Sequence, residues 1–135
     1  MAHKKPLPRI NADNRYFWEG CRHQTLKFQK CRDCGHVRWP PADFCPACLS
    51  NIYDYLVSKG WGRIYTFAVY HQAFHPAFAD DLPYTVAIVA LDEGPRLLTN
   101  IVQCRSDEVK CGMRVTVVWD AVDETITLPK FKPTP

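Results

Sequence analysis

Two periodicities run along this chain. From Asn11 to about Thr25, Tyr16, Phe17, Gly20 and Cys21 recur at helical spacing and form the stripe of an amphipathic helix. Asn11 or Asp13 is placed to cap it, while Gly20 weakens it enough that two short helices are an alternative. Trp18 beside Phe17 makes the stripe wider than a solvated helix tolerates, so another surface must cover it. Leu26 to Lys30 then alternates, which is a strand signal. From Trp61 onward the period is that of strands: Trp61–Ala73, Tyr84–Leu91, Leu97–Val102, Val115–Trp119 and Thr125–Leu128. His75-Pro76 through Leu82-Pro83, Glu93-Gly94-Pro95, Cys111-Gly112 and Asp120 through Glu124 supply the turns.

Five strands in about 70 residues predict a small barrel of OB-fold type. The expected fold is mainly β: an arm and helix over 1–25, a cysteine-bearing ribbon over 26–55 and the five-stranded barrel over 56–135. At 135 residues the chain is too short for a complete Rossmann enzyme or a TIM barrel. No apolar run approaches the roughly 18 residues of a membrane span. The start, Met1 to Pro6, leads into no hydrophobic stretch, so a cytoplasmic location is expected and the seven cysteines are not read as a disulfide framework. Charge is unevenly divided. Residues 1–59 carry ten Lys or Arg against five Asp or Glu, whereas 60–130 carry six against nine. Nucleic acid is disfavoured as a partner, because phosphate binding needs a continuous basic track.

Cys31 and Cys34 are separated by two residues, as are Cys45 and Cys48, with ten residues between the pairs. Two such turns supply the four tetrahedral thiolates of a closed zinc site, and spacing alone does not distinguish zinc from iron. With every position filled by cysteine, no place remains for water or substrate, so the metal is structural. Some 30 residues bury too little surface to fold alone, and metal binding supplies the deficit.

Candidate catalytic groups are sparse. Cys21 has His23 only two residues on, and such a pair points apart on a helix. Cys104 and Cys111 are expected to pack as small apolar groups at strand ends. His3, His23, His71 and His75 are scattered; His36, two residues after Cys34, reads as a solvated loop residue with replacement of a metal ligand as the alternative, and Asp80-Asp81 and Asp92-Glu93 read as solvated loop charges. No phosphate-binding or dinucleotide-binding glycine motif is present. The catalytic residues are therefore expected to be none.

The order of motifs is more specific than any one of them. Tyr16-Phe17-Trp18-Glu19-Gly20 is followed by Leu26 through Gly35, then Trp39-Pro40-Pro41 and Cys45-Pro46-Ala47-Cys48. Pro83 through Gly94, Cys111 through Val115 and Leu128 through Pro133 complete the series. From about residue 13 to 133 this resembles the rubredoxin-like zinc-ribbon plus OB-fold family, a domain of unknown function associated with acyl-CoA. Cys111 stands where an aliphatic residue is more usual before Gly112.

The resemblance implies a non-catalytic accessory subunit that forms a hetero-oligomer with a thiolase-like catalytic subunit. Family settings include acetoacetyl-CoA thiolase assemblies, multicomponent acetyltransferases, sterol side-chain aldolases and benzoylsuccinyl-CoA thiolase; the small subunit of the last suits a chain of this size. Implied ligands are a structural Zn²⁺, or Fe, and a CoA thioester as substrate of the complex. Arg15, Arg22, Lys27, Lys30 and Arg32 are the candidates to meet CoA phosphates. Phe17, Trp18, Trp39 and Trp61 are candidates to line the pantetheine arm or the partner surface, with core packing as the rival role. The helix and the Trp39-Pro40-Pro41 loop are expected to face the partner. A nucleic-acid-binding ribbon and barrel, or a stand-alone acyl-CoA-binding protein, are the alternatives.

Overall fold

The computed structural model describes residues 5–134. His3 and the beginning of the expected arm lie outside the described residues. Helix α1 spans Arg15–Arg22, shorter than the sequence stripe. Asn11 does not cap it; its Oδ1 accepts from the backbone of Asp13 at 2.9 Å and of Asn14 at 3.0 Å, closing a separate turn ahead of the helix. At the other end the Thr25 N–H donates to Gly20 O at 2.8 Å. A Cβ on Gly20 would lie 2.7 Å from the Thr25 carbonyl oxygen, so glycine is what lets the chain fold back there.

A three-stranded antiparallel sheet follows, made of β1 (Lys27–Cys31), β2 (Val37–Arg38) and β3 (Tyr53–Val57) in the order β2-β1-β3. β3 runs two residues past the expected end of the ribbon. The remaining strands are β4 (Trp61–Tyr70), β5 (Tyr84–Leu91), β6 (Arg96–Ile101), β7 (Arg114–Ala121) and β8 (Thr127–Pro133). They close a barrel in the order β4-β5-β6-β8-β7, as expected for an OB-fold. The last strand begins later than its pattern predicts, because Asp123 Oδ1 accepts from the N–H groups of Thr125 and Ile126 at 2.8 and 2.7 Å and holds them in a turn. Gly62 permits close packing inside the barrel: a Cβ there would lie 2.6 Å from Ala90 O.

The barrel core is built by alternation. Val89, Leu97, Val115 and Phe131 point inward from successive strands and are buried. Phe17 and Cys21 of α1 and Phe28 of β1 belong to the same contiguous core. Helix and ribbon base are thus fused to the barrel through one apolar interior, while the cysteine turns project from it.

Candidate metal centre and its surroundings

The four expected ligands converge. The Sγ atoms of Cys31, Cys34, Cys45 and Cys48 all lie within 4.8 Å of one another, with Cys31–Cys48 at 3.5 Å and Cys34–Cys45 at 3.6 Å. An ion bonded tetrahedrally to sulfur at about 2.3 Å sets its ligands about 3.8 Å apart, so the residues present fit a four-thiolate metal.

Two turns of matching backbone geometry build this cradle. The Gly35 N–H donates to Cys31 O at 3.0 Å, and the Leu49 N–H to Cys45 O at 2.8 Å. Cys31 N–H reaches His36 O at 2.9 Å and Cys45 N–H reaches Ser50 O at 2.8 Å, so the second turn repeats the first. Gly35 and Leu49 occupy the same left-handed position, at φ 78° and 67°. Glycine accepts this freely; leucine does not. Backbone N–H groups also favour thiolate over thiol. The N–H of Cys34, against the opposing effect of desolvation, lowers the Cys31 thiol to about 6. Burial opposes ionisation of Cys45, but the N–H groups of Ala47 and Cys48 outweigh it.

The aromatic residues expected on the partner surface divide. Phe17 is 1% exposed, its ring 4.1 Å from that of Trp39 and 5.0 Å from that of Trp18. Phe17 is therefore a core residue, which corrects its expected place on the interface. Trp18 and Trp39 are partly buried and pack against the same core, so the helix and the Trp39 loop cover their own barrel. The physical reason is that one apolar stripe serves only one surface, and the barrel's own end takes it. Trp61 stays exposed, with the Arg114 guanidinium 5.4 Å from its ring centre. Arg15, Arg22, Lys30 and Arg32 are exposed and Lys27 is half-buried. Arg32 is engaged by Asp54 at 2.9 Å.

Sequence reasoning missed three features. Phe44, Leu49 and Ile52 stand exposed at the metal end of the ribbon, Leu49 at 76%. Arg38, by contrast, is 3% exposed and pairs with no carboxylate: its Nε donates to Gln29 Oε1 at 2.8 Å and its Nη2 to Ala42 O at 2.8 Å. Its alternation in a two-residue strand was too short to signal burial. Finally, a groove of about 710 Å³ opens beside Tyr84, Thr85, Asn100, Cys104 and Lys130, bordered by Lys5 to Leu7. Lys5 reaches Asp81 at 2.5 Å across it.

Among the described residues none of Cys21, Cys104 and Cys111 hydrogen-bonds a histidine or carboxylate. The Ser58 hydroxyl donates to Glu93 Oε1 at 2.6 Å, in a turn where the Lys59 N–H holds the other Glu93 oxygen at 3.0 Å and the Gly60 N–H donates to Ser58 Oγ at 3.0 Å. Burial pushes the Cys21 thiol up to about 12. Cys104 is half-buried, and burial raises its thiol as well. Cys111 is exposed rather than packed, because it lies in a turn with Gly112 at φ 85° that directs it outward. No helix among the described residues is long and apolar enough to cross a membrane.

Comparison with known proteins agrees with this geometry. Residues 18–52 match the rubredoxin-like zinc ribbon domain of ChsH2, and residues 57–120 match its C-terminal OB-fold domain. The chain is 40% identical over 129 residues to a protein of Thermomonospora curvata named probable enoyl-CoA hydratase alpha subunit, covering 96% of this chain but 40% of that protein. A DUF35 domain-containing scaffold protein of Methanocaldococcus jannaschii is 36% identical over 111 residues, 77% of this chain and 78% of the relative. A solved Ltp2-ChsH2(DUF35) aldolase contains a chain that superimposes with a TM-score of 0.85 at 40% identity, covering 94% of this chain and 98% of that one. With its four-cysteine ribbon leading into a closed five-stranded barrel, the chain belongs to the DUF35 family.

Proposed function

We propose that this chain is a non-catalytic accessory subunit of a cytoplasmic thiolase-type complex, working on acyl-CoA in β-ketoacyl-CoA thiolysis or acyl transfer. The observation that supports the reading is the 40% identity, over 94% of this chain, to a chain of the Ltp2-ChsH2(DUF35) aldolase. The chemistry agrees with it. A metal held by four thiolates has no open position for a reactant, and its role is to fold the ribbon. The chain then supplies surface. Phe44, Leu49 and Ile52 form an exposed apolar tip beside the metal, stiffened by the two turns, and such a tip docks a thiolase-like partner with little ordering cost.

For the substrate, Arg15, Arg22, Lys27 and Lys30 offer charge to the nucleotide end of CoA, with Arg32 tempered by Asp54. The groove beside Tyr84 and Lys130 is large enough for a pantetheine arm.

Affinity capture with the tagged chain from native lysate, followed by an acyl-CoA thiolysis assay on the eluate, tests this reading. A thiolase-like protein should co-purify and carry all the activity. Phe44→Ser with Leu49→Ser should abolish capture while leaving thermal stability of the isolated chain nearly unchanged. Acyl transfer by the isolated chain would overturn the proposal.

A further inference from the structure

The outward face of the barrel carries one complete arrangement of arginine, aromatic ring and carboxylate, and a second that lacks its carboxylate. Arg114 of β7, Arg63 of β4, Ala90 of β5 and Arg96 of β6 stand in one row, paired strand to strand. At one end of the row the Arg114 guanidinium lies 5.4 Å from the Trp61 ring centre and donates to both Asp92 oxygens at 2.6 and 2.7 Å. At the other end the Arg96 guanidinium lies 4.0 Å from the Tyr65 ring centre. Two features allow that reach across β5. Ala90, the partner of Arg96, carries only a methyl group, and the β4–β5 ladder slips between Ile64 and Thr66, leaving Tyr65 as the extra residue that a bulge re-aims.

The carboxylates nearest to Arg96 in sequence are both engaged elsewhere. Asp92 is held by Arg114, and Glu93 accepts from the Ser58 hydroxyl at 2.6 Å and the Lys59 N–H at 3.0 Å. Among the described residues Arg96 forms no ion pair. Arg63 is bonded to Gly112 O at 3.1 Å and lies within the field of Asp92, so the unmatched charge of the row sits at Arg96. The surrounding face offers no acid. Although residues 60–130 carry more Asp and Glu than Lys and Arg, β4, β5 and β6 contain no Asp or Glu at all. One step along β6 from Arg96, Leu98 is 68% exposed, and its partner Ile88 on β5 is half-buried; both share the face with Arg96.

We propose that this face docks a helix of a partner protein, with a carboxylate of the helix seated on Arg96 and an apolar side chain on Leu98 and Ile88. Arg114 shows the completed form on the same sheet: a guanidinium against a ring donates a pair of N–H groups to one carboxylate. Tyr65 holds the Arg96 guanidinium in advance, which lowers the ordering cost of docking. A helix is the element that fits. The barrel is closed, so its strands offer no free edge to an added strand, and what packs on a sheet face is a helix. Arg96 and Leu98 lie about 7 Å apart along β6, close to the roughly 6 Å between helix residues four apart. Nucleic acid suits the face less, because bases stack on bare rings and both Trp61 and Tyr65 already have a cation against them. The inference rests on the scaffold reading for the existence of a partner, and on the barrel face for its chemistry; it adds a contact apart from the ribbon tip.

The test uses the zinc-loaded full chain, isotope-labelled, titrated with a capped alanine-based helical peptide of about 18 residues that carries one Glu and, four residues on, one Leu. Saturable shifts are expected at the Arg96 Nε–H and at the methyl groups of Leu98 and Ile88. Gln in place of the peptide's Glu should weaken binding about fivefold. Arg96→Gln, altered at an exposed position, should distinguish the two peptides by less than about twofold. Arg96→Lys, which keeps the charge and loses the paired donors, should leave the difference below about threefold. Equal affinity of the wild type for the two peptides, full discrimination by Arg96→Gln or Arg96→Lys, shifts mapping elsewhere, or no saturable shift would overturn the proposal. So would inorganic phosphate or a single-stranded oligothymidine moving the same resonances at lower concentration than the peptide. No acyl-CoA enzyme is in the tube, so failure here and failure of the capture experiment are independent results.

Discussion

The two ends of this molecule are held together by different physics. At the barrel end, Val89, Val115 and Phe131 are withdrawn from water along with Phe17 and Phe28, and burial of apolar area stabilises the whole. At the metal end, Phe44, Leu49 and Ile52 face outward and the cysteine turns have almost no apolar interior of their own. Four thiolates and a metal replace a core there. The contrast explains how a surface tip keeps its shape while leaving apolar side chains exposed. A metal held by the four thiolates would fix the backbone there, which leaves those side chains free to be exposed.

The sharpest break in that comparison comes from the metal. Cys34→Ser should lose the ion, and the Cys45–Ser50 turn should lose protection from amide exchange, while the β5–β6 ladder keeps its protection. Elemental analysis with hydrogen exchange reads both. A metal-free wild-type chain with an intact ribbon would refute the division.

Phe17→Ala should do the reverse. It removes a fully buried ring shared by helix, ribbon base and barrel, at about 3–5 kcal/mol in denaturant unfolding, and the four-thiolate centre should still load metal. If unfolding shows no such loss, helix and barrel do not share a core.

Gly62→Ala probes the barrel alone. Its Cβ would meet Ala90 O at 2.6 Å and Val89 Cγ1 at 2.8 Å, and backbone yields poorly, so about 2 kcal/mol should be lost without change in metal content.

At the metal end the smaller effect has the opposite sign. Leu49→Gly relieves the left-handed backbone at φ 67° and should stabilise the ribbon by about 1 kcal/mol, offset in part by glycine's greater unfolded-state entropy. The same change should weaken partner capture, because Leu49 belongs to the exposed tip.

The smallest effect concerns pH. The Arg114 guanidinium, bonded to both Asp92 oxygens at 2.6 and 2.7 Å, holds that carboxyl below its ordinary range. A depressed folded pKa means the stabilisation is present above the unfolded value of about 4 and is lost as pH falls through the folded value. Both groups are substantially exposed, so the contribution should stay below about 1 kcal/mol. Stability of Asp92→Asn measured against pH should show a correspondingly shallower acid slope than the wild type.

What was legible in the linear chain follows from locality. The C-x₂-C turns were readable because a metal ligand set is encoded within a few residues, and the barrel strands because alternation is set residue by residue. Helix and strand ends were less readable, since side chains such as Asn11 and Asp123 capture backbone groups near the boundary. Burial was a different matter. Tyr16, Phe17 and Trp18 announced that something must cover them, and the chain alone carried no mark of whether a partner or its own barrel would do so. Only the closed fold brought Trp39 onto Phe17 and made that stripe interior. The fold alone also aligned Gln29, Arg38 and Tyr55 across three strands, left the outer edge of β3 open and turned Leu49 outward. Ligand identity and strand character are properties of a few neighbouring residues. Which apolar surface is buried is decided by contacts between residues far apart in sequence, and those exist only once the chain has closed.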